Sequence, residues 1–310
     1  MQWTVAGDGA GTRLDKYLAA PDRAGSRSKA AAALERGKVF VNDLEVSLTD
    51  AAALLRPGDV VRLWMDRPGS AKKRSTLGEL RDMPVVFEDD WLIVLNKPAG
   101  LLAVPLPLER RNDAPSVFED LKIYLRQRSR RRPFVVHRID RDTSGLVLFA
   151  KSAAAQERLK EQFKRREPER VYQAVVYGHP SPAQGTWHDT LVWDTKALIQ
   201  KETSARDPLG KEAIAHYRLV EEMPTTSLIE VSLVTGKRNQ IRIQARLRGH
   251  TLIGERRYVY GPDELRPIAF PRQALHAYRL TFGHPADGRE LSFEAPPPAD
   301  MAALIERLRR

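Results

Sequence analysis

The 310-residue chain contains no cysteine. That absence excludes disulfides, a thiolate nucleophile and zinc or iron–sulfur sites built on Cys, and it suits a reducing compartment. No apolar run approaches the length of a membrane span. The start, Met1-Gln2-Trp3-Thr4-Val5-Ala6-Gly7-Asp8, lacks the basic segment and apolar core of a secretion signal. Also missing are a His-Glu-x-x-His zinc motif, a phosphate-cradling Gly-rich loop ending in Lys-Ser/Thr, and a Gly-x-Ser-x-Gly elbow. Gly7, Gly9 and Gly11 fall in the register Gly-x-Gly-x-Gly-Thr, which is a flexible turn and not a dinucleotide fingerprint. The seven histidines are scattered and read as structural. No cofactor and no metal are expected. Carboxylate and tyrosine chemistry remains, with arginine as the electrostatic partner. The formal net charge of +11 favours a polyanion, nucleic acid above all. A cytoplasmic, monomeric protein without membrane contact is expected.

The length suggests two domains, or one with an appendage. Residues 1–65 form a candidate small α+β domain. In it Leu14 and Leu18 lie one helical turn apart, Ser26 suits an N-cap with Gly37 beyond the helix end, and Val39/Val41 precede an Asn42-Asp43 turn. Pro57-Gly58-Asp59 turns the chain into a strand at Val60–Leu63. This segment carries nine lysines and arginines against eight acids, so any basic face must come from asymmetric placement. Residues 66–83, with Lys72, Lys73 and Arg74, have the composition of a linker. Residues 84–310 form the second domain. Strands are expected over Val85–Phe87, Trp91–Leu95, Val171–Gly178, Ala215–Val220, Ser227–Val234 and Tyr278–Phe282. One helix carries Val117, Leu121 and Leu125 and runs into Arg126, Arg128, Arg130, Arg131 and Arg132, stopped by Pro133. Further helices start at Ser152, follow Thr235–Asn239, and close the chain from Ala299. Residues 183–212 are polar and poorly patterned. Five arginines in seven positions exceed what a helix C-terminus requires, and they read as a phosphate-contacting patch.

The densest chemistry lies in Val135-Val136-His137-Arg138-Ile139-Asp140-Arg141-Asp142-Thr143-Ser144-Gly145-Leu146. An apolar pair runs into a knot of charge, then a Thr-Ser-Gly turn, then a buried-strand run. At ordinary carboxylate pKa values both aspartates are ionised at neutral pH, and each is able to serve as nucleophile or base. Read alone, the motif fits catalysis and a structural ion-pair cluster equally well.

His137-Arg138-Ile139-Asp140-Arg141-Asp142-Thr143-Ser144-Gly145-Leu146 resembles the signature of pseudouridine synthases of the RluA type. Supporting blocks follow in that family's order: Asn96-Lys97-Pro98-Ala99-Gly100-Leu101, Tyr172-Gln173-Ala174-Val175, Thr235-Gly236-Lys237-Arg238-Asn239-Gln240-Ile241-Arg242 and Arg272-Gln273-Ala274-Leu275-His276-Ala277. Residues 1–65 resemble the small RNA-binding domain of a ribosomal protein of the S4 type, with Arg27, Lys29 and Arg36 at its basic positions. The resemblance implies an α+β catalytic domain with a mostly antiparallel mixed sheet behind a small α+β RNA-binding domain. It implies isomerisation of uridine to pseudouridine in structured RNA, ribosomal RNA of the large subunit first and transfer RNA second. Asp140 matches the nucleophile, attacking ribose or base. Arg242 matches the arginine that pairs with it. Tyr172 matches the tyrosine that stacks on uracil, and Arg138 the residue that fills the gap left by the flipped nucleotide. Ile241 and the arginines Arg128, Arg130 and Arg131 are assigned to substrate binding. The family's usual His before Gln-Ile-Arg is Asn239 here, and its usual Arg-Thr is Lys237-Arg238. Asp142 suits a turn-forming role, bonded to nearby backbone amides, which leaves Asp140 to face a pocket. The competing readings are a non-catalytic RNA-binding protein and a glycosidase with paired carboxylates.

Overall fold

A computed structural model describes residues 1–35, 38–46, 50–65, 80, 83–105, 115–259 and 268–310. Arg36, Gly37, most of the 66–83 segment, residues 106–114 and residues 260–267 lie outside the described residues. The chain divides into two compact units, Met1–Gly78 and Glu79–Arg310.

The first unit contains β1 (Gln2–Thr4), α1 (Leu14–Leu18), α2 (Arg27–Glu35), β2 (Val39–Val41), β3 (Leu44–Val46) and β4 (Val60–Leu63). Its sheet has the order β1-β4-β2-β3. Leu14, Leu18, Ala30 and Leu34 from the helices meet Val39, Val61 and Leu63 from the sheet in one core. The Ser26 hydroxyl accepts the Lys29 amide at 3.2 Å and caps α2. Asn42 and Asp43 both adopt positive φ, 52° and 61°, the pair of left-handed residues that a two-residue hairpin needs. The first residues are more than a turn. β1 pairs with β4 and Val5 is buried in the core, but three residues are too few to show an alternation.

The second unit begins with β5 (Val85–Glu88), β6 (Leu92–Lys97), α3 (Val117–Ser129), β7 (Phe134–Val135), β8 (Ser144–Ala150), α4 (Ala153–Lys164) and β9 (Glu169–Tyr177). It continues through β10 (Gln184–Asp194), β11 (Ile199–Glu202), β12 (Lys211–Met223), β13 (Thr226–Leu233), α5 (Gln240–Leu247), β14 (Leu275–Gly283), β15 (Glu290–Glu294) and α6 (Ala299–Leu308). One sheet runs β11-β10-β12-β13-β9-β14-β8-β6-β5, with β15 beside β14 and β7 beside β8. Among the described residues, β8–β14 is its one parallel pair. The sheet is thus mixed and mostly antiparallel, in an α+β unit.

Helices cover both faces. All seven residues of β8 are buried because Val147 and Phe149 meet α3 residues, while Leu146, Leu148 and Ala150 meet Ala155 and Leu159 of α4. β9 divides the same way. Val175 packs with Met301, Leu304 and Ile305 of α6, and Tyr172, Ala174 and Val176 pack with Ile241 and Ala245 of α5. α4 and α5 thus flank one face of the sheet, α3 and α6 the other. Ser116 and Ser152 each accept an amide hydrogen bond from the third residue on, capping α3 and α4.

Two expectations change. Residues 183–212 are not unpatterned loop: they supply β10, β11 and the start of β12. Trp187 and Leu191 are the buried residues of β10, and their four-residue spacing hides a strand that is otherwise wet on both sides. Helix α3 stops at Ser129, where Arg130 turns left-handed at φ 55°. Arg130, Arg131 and Arg132 therefore lie past the helix.

Gly145 sits where the Asp140 loop enters β8. Its φ is +110°, and a Cβ there would stand 2.3 Å from the Ala277 carbonyl oxygen. Only glycine permits β14 to pair this closely, and that pairing fixes where the loop ends.

Candidate active site

The loop Val136–Thr143 joins β7 to β8 at the cleft face. The His137 ring stacks on Phe163 at 5.0 Å, and its Nε2 accepts the Leu148 amide at 3.1 Å. Burial holds its pKa down, at about 3, so the imidazole is neutral and able to accept. Two buried cations pin the loop's main chain from below. Lys97 Nζ donates to the carbonyls of Pro98, Leu101 and Arg141 at 2.7, 2.8 and 2.9 Å. Arg272 Nη1 donates to the Asp142 carbonyl at 3.2 Å, while Asp300 holds the same guanidinium at 2.7 and 3.0 Å. These contacts consume the carbonyls of Arg141 and Asp142 and leave the Asp140 side chain free to face the cleft.

Asp142 does not bond turn amides as expected. Its carboxylate takes the Arg141 guanidinium through two contacts of 3.1 Å. A guanidinium fork satisfies both carboxylate oxygens at once, and Arg141 is the nearest one. The separation of the two aspartates stands on a different contact from the one expected. Asp140 lines the cleft and Asp142 does not.

Asp140 Oδ2 accepts from Arg242 Nη1 at 3.4 Å. That contact is the weaker of Arg242's two ionic contacts. Arg242 Nε and Nη2 grip Glu255 at 2.6 and 2.7 Å. Nη1 also reaches the Asn239 Oδ1 at 3.2 Å. Glu255 has a fully buried side chain, and its Oε1 accepts the amides of Arg256 and Arg257 at 3.0 and 2.8 Å. Burial alone would raise the Glu255 pKa, but Arg242 and then the amides of Arg257 and Tyr258 outweigh it and lower it from its ordinary value. Burial likewise disfavours the Arg242 charge, but Glu255 and then Asp140 outweigh it and raise the net pKa. Gly254 makes the turn at φ +73°, with no room for a Cβ beside the Arg272 carbonyl, which would be 2.0 Å away. Asn239, at the position where the family usually has His, is also left-handed at φ 55°. Its Nδ2 donates to the Tyr258 hydroxyl at 3.1 Å. Glu255 was invisible in the sequence: it sits beside two arginines in what reads as a charged surface turn, and no spacing links it to residue 242.

The cleft has a volume of about 580 Å³ and runs between α4 and α5. Asp140 is the one carboxylate among its lining residues, against seven lysines and arginines. Tyr172 and Ile241 form part of its apolar wall, and exposed Arg138 stands at its edge. Burial pushes the Tyr172 hydroxyl up to about 12; Arg170 opposes this and Asp140 adds to it. The structure brings together Asp140, Arg242, Tyr172, Arg138 and Ile241. It does not bring Arg128, Arg130 or Arg131 to the cleft. α3 lies on the opposite face of the sheet, Arg128 bonds the Tyr124 hydroxyl at 2.9 Å, and Arg131 pairs with Asp90 at 3.2 Å. Arg27 and Lys29 are exposed on α2, and Arg36 lies outside the described residues.

Lys97 gives a pH signature. Burial brings its pKa from 10.5 to about 7, with Asp142 and Asp140 pulling it back up. Between those two values the unfolded chain holds a proton that the folded chain has released, so stability rises with pH across that window. The limit is about 1.4 kcal/mol per pH unit. Tyr172 acts oppositely and higher: its stabilising share is present below pH 10 and is lost as pH climbs toward 12. Denaturant unfolding of the wild type between pH 7 and 9.5 will show the rise, and Lys97→Met will flatten it. A flat wild-type curve would contradict the lowered Lys97 pKa.

The family model for RNA pseudouridylate synthase matches residues 91–247, half of the chain. The uncharacterized RNA pseudouridine synthase YlyB of Bacillus subtilis is 36% identical over 302 residues, covering 96% of this chain and 94% of its own. The ribosomal large subunit pseudouridine synthase D of Zymomonas mobilis is 34% identical over 320 residues, with 99% and 97% covered. The dual-specificity RNA pseudouridine synthase RluA of Escherichia coli K12 is 38% identical over 217 residues, 68% of this chain and 92% of its own. The fold is shared with human RNA pseudouridylate synthase domain containing 4, at a TM-score of 0.59 and 20% identity over 73% of this chain and 92% of that one. Among the described residues no helix is long and apolar enough to cross a membrane. The signature loop, the cleft it serves and these relatives, two of them matching nearly the whole chain, agree: the chain belongs to the RNA pseudouridine synthases, enzymes that isomerise uridine to pseudouridine in RNA.

Proposed function

We propose that this enzyme modifies uridine in structured ribosomal RNA of the large subunit, with Asp140 as the nucleophile. The carrying observation is a single carboxylate in a cleft ringed by cations. Phosphodiesters are drawn to such a cleft, and one acid suffices for a redox-neutral isomerisation that hydrolyses nothing. A glycosidase needs a second, opposed carboxylate, and Asp142 is turned away and bound to Arg141. The N1–C1′ bond breaks, the uracil turns, C5 joins C1′ and gives up its proton, and the freed N1 takes up a proton, so the atoms balance as an isomerisation requires. The target base must leave its stack to reach Asp140, and Arg138 at the edge of the cleft fills the space it vacates. Ile241 and Tyr172 pack against the uracil. The raised Tyr172 pKa supports a stacking role and opposes one as base for the C5 proton at neutral pH. Arg27 and Lys29, exposed on α2, hold RNA in the front unit; Arg36 is assigned the same role by the resemblance and lies outside the described residues. Arg128, Arg130 and Arg131 meet RNA flanking the target. The ribosomal target is supported by the Zymomonas relative, which is named for the large subunit and matches nearly the whole chain. A monomer in the cytoplasm, without cofactor, is the working form. Tritium release from RNA carrying C5-tritiated uridine tests the chemistry. Mapping pseudouridines in total RNA with and without the gene tests the target: a pseudouridine lost from large-subunit RNA is expected, and losses confined to transfer RNA would overturn the ribosomal assignment.

A further inference from the structure

We infer that Arg170 is a phosphate-binding residue, whose guanidinium takes a phosphodiester next to the flipped uridine. The inference rests on the proposed function and adds a contact to it. Arg170 lies on β9 two residues before Tyr172, so both side chains point to the cleft face, about 7 Å apart along the strand. That separation is comparable with the one between a nucleobase and its own phosphate. Unlike Arg242, which grips Glu255, and Arg166, which pairs with Glu212 at 3.0 Å, Arg170 has no carboxylate partner among the described residues.

The group is held but not neutralised. Its Nη2 donates to the carbonyls of Leu233 and Val234 at 3.1 and 3.3 Å. The guanidinium lies 5.4 Å from the centre of the Phe163 ring. Its Nε is buried without an acceptor. Nη1 lies over Gly236, where a Cβ would be only 2.6 Å away; the absent side chain leaves that donor room. Arginine keeps its charge when partly buried, and a desolvated cation binds an incoming anion more strongly than an exposed one does. The fork geometry matches a phosphate. Burial works against the Arg170 charge, while nearby Tyr172 favours it, as expected for a cation still lacking its counter-ion.

The test is a cycle of protein and RNA changes. An RNA hairpin containing the mapped uridine is made with one neutral methylphosphonate at a time on either side of that uridine. Each RNA is measured with wild type and Arg170→Met, by single-turnover tritium release and by fluorescence anisotropy. One linkage beside the uridine is expected to cost the wild type roughly tenfold to hundredfold, and to cost Arg170→Met nothing more. Arg170→Lys, which keeps the charge and loses the fork, should fall between. The inference is overturned if every methylphosphonate costs both proteins the same factor, which is also the pattern a merely structural Arg170 would give. Wild-type turnover of the unmodified hairpin tests the parent function separately, and anisotropy reads the coupling whether or not turnover occurs.

Discussion

Glu255→Gln is expected to slow the single-turnover step by on the order of 10²-fold while leaving RNA affinity nearly unchanged. The reason is the division of Arg242 between two acids. Glu255 holds two of its nitrogens at 2.6 and 2.7 Å, and Asp140 touches a third at 3.4 Å. With Glu255 neutral, Asp140 becomes the only charged partner of a cation that cannot lose its proton. The guanidinium then draws closer to Asp140, and the carboxylate is less available to attack. A displacement of about an ångström at a reacting group is enough for an effect of this size. Breaking one partner out of a buried ion pair should also cost about 3–5 kcal/mol of stability. Glu255→Asp keeps the charge and should recover part of the rate. Arg242→Met removes the cation from both acids and strands a fully buried Glu255, so its stability should fall further. In the wild type, the stabilisation from the lowered Glu255 pKa is complete above pH 4.5 and is lost as pH drops through the folded value. A Glu255→Gln enzyme at full rate would show that Arg242 needs no anchor.

Much of this site was legible because its signals are local. The Asp140 knot, the buried-strand run after it, and Ser26 and Ser152 at their helix starts each declare themselves within a few residues. Contacts set by tertiary packing did not. Glu255 reaches Arg242 only because Gly254 turns the chain beneath the Arg272 carbonyl. Turn amides were the expected partners of Asp142, and the guanidinium fork of Arg141 won instead. The arginines of residues 126–132 read as one phosphate-contacting patch, and their distance from the cleft was not legible: hydrophobic contacts of Leu121 and Leu125 place α3 on the far face of the sheet. β10 was hidden because its buried residues, Trp187 and Leu191, stand four apart, a helical spacing on a strand mostly open to solvent. Arg170 carried no motif of its own; its meaning comes from what fails to pair with it.

Asp140→Asn bears on the central claim more directly than any other change. The side chain keeps its shape and its hydrogen-bond reach to Arg242 but loses the negative charge a nucleophile needs. No other lining residue is a carboxylate, so nothing in the cleft is placed to substitute for it. Asp142→Asn is the matched control, since that carboxylate pairs with Arg141 outside the cleft, and its rate should stay within about tenfold of wild type. The deciding measurement is single-turnover tritium release from C5-tritiated substrate RNA by Asp140→Asn, with RNA binding and melting temperature measured alongside. Release is expected to fall by at least about 10⁴-fold with binding and fold intact. Release at the wild-type rate would contradict the central claim.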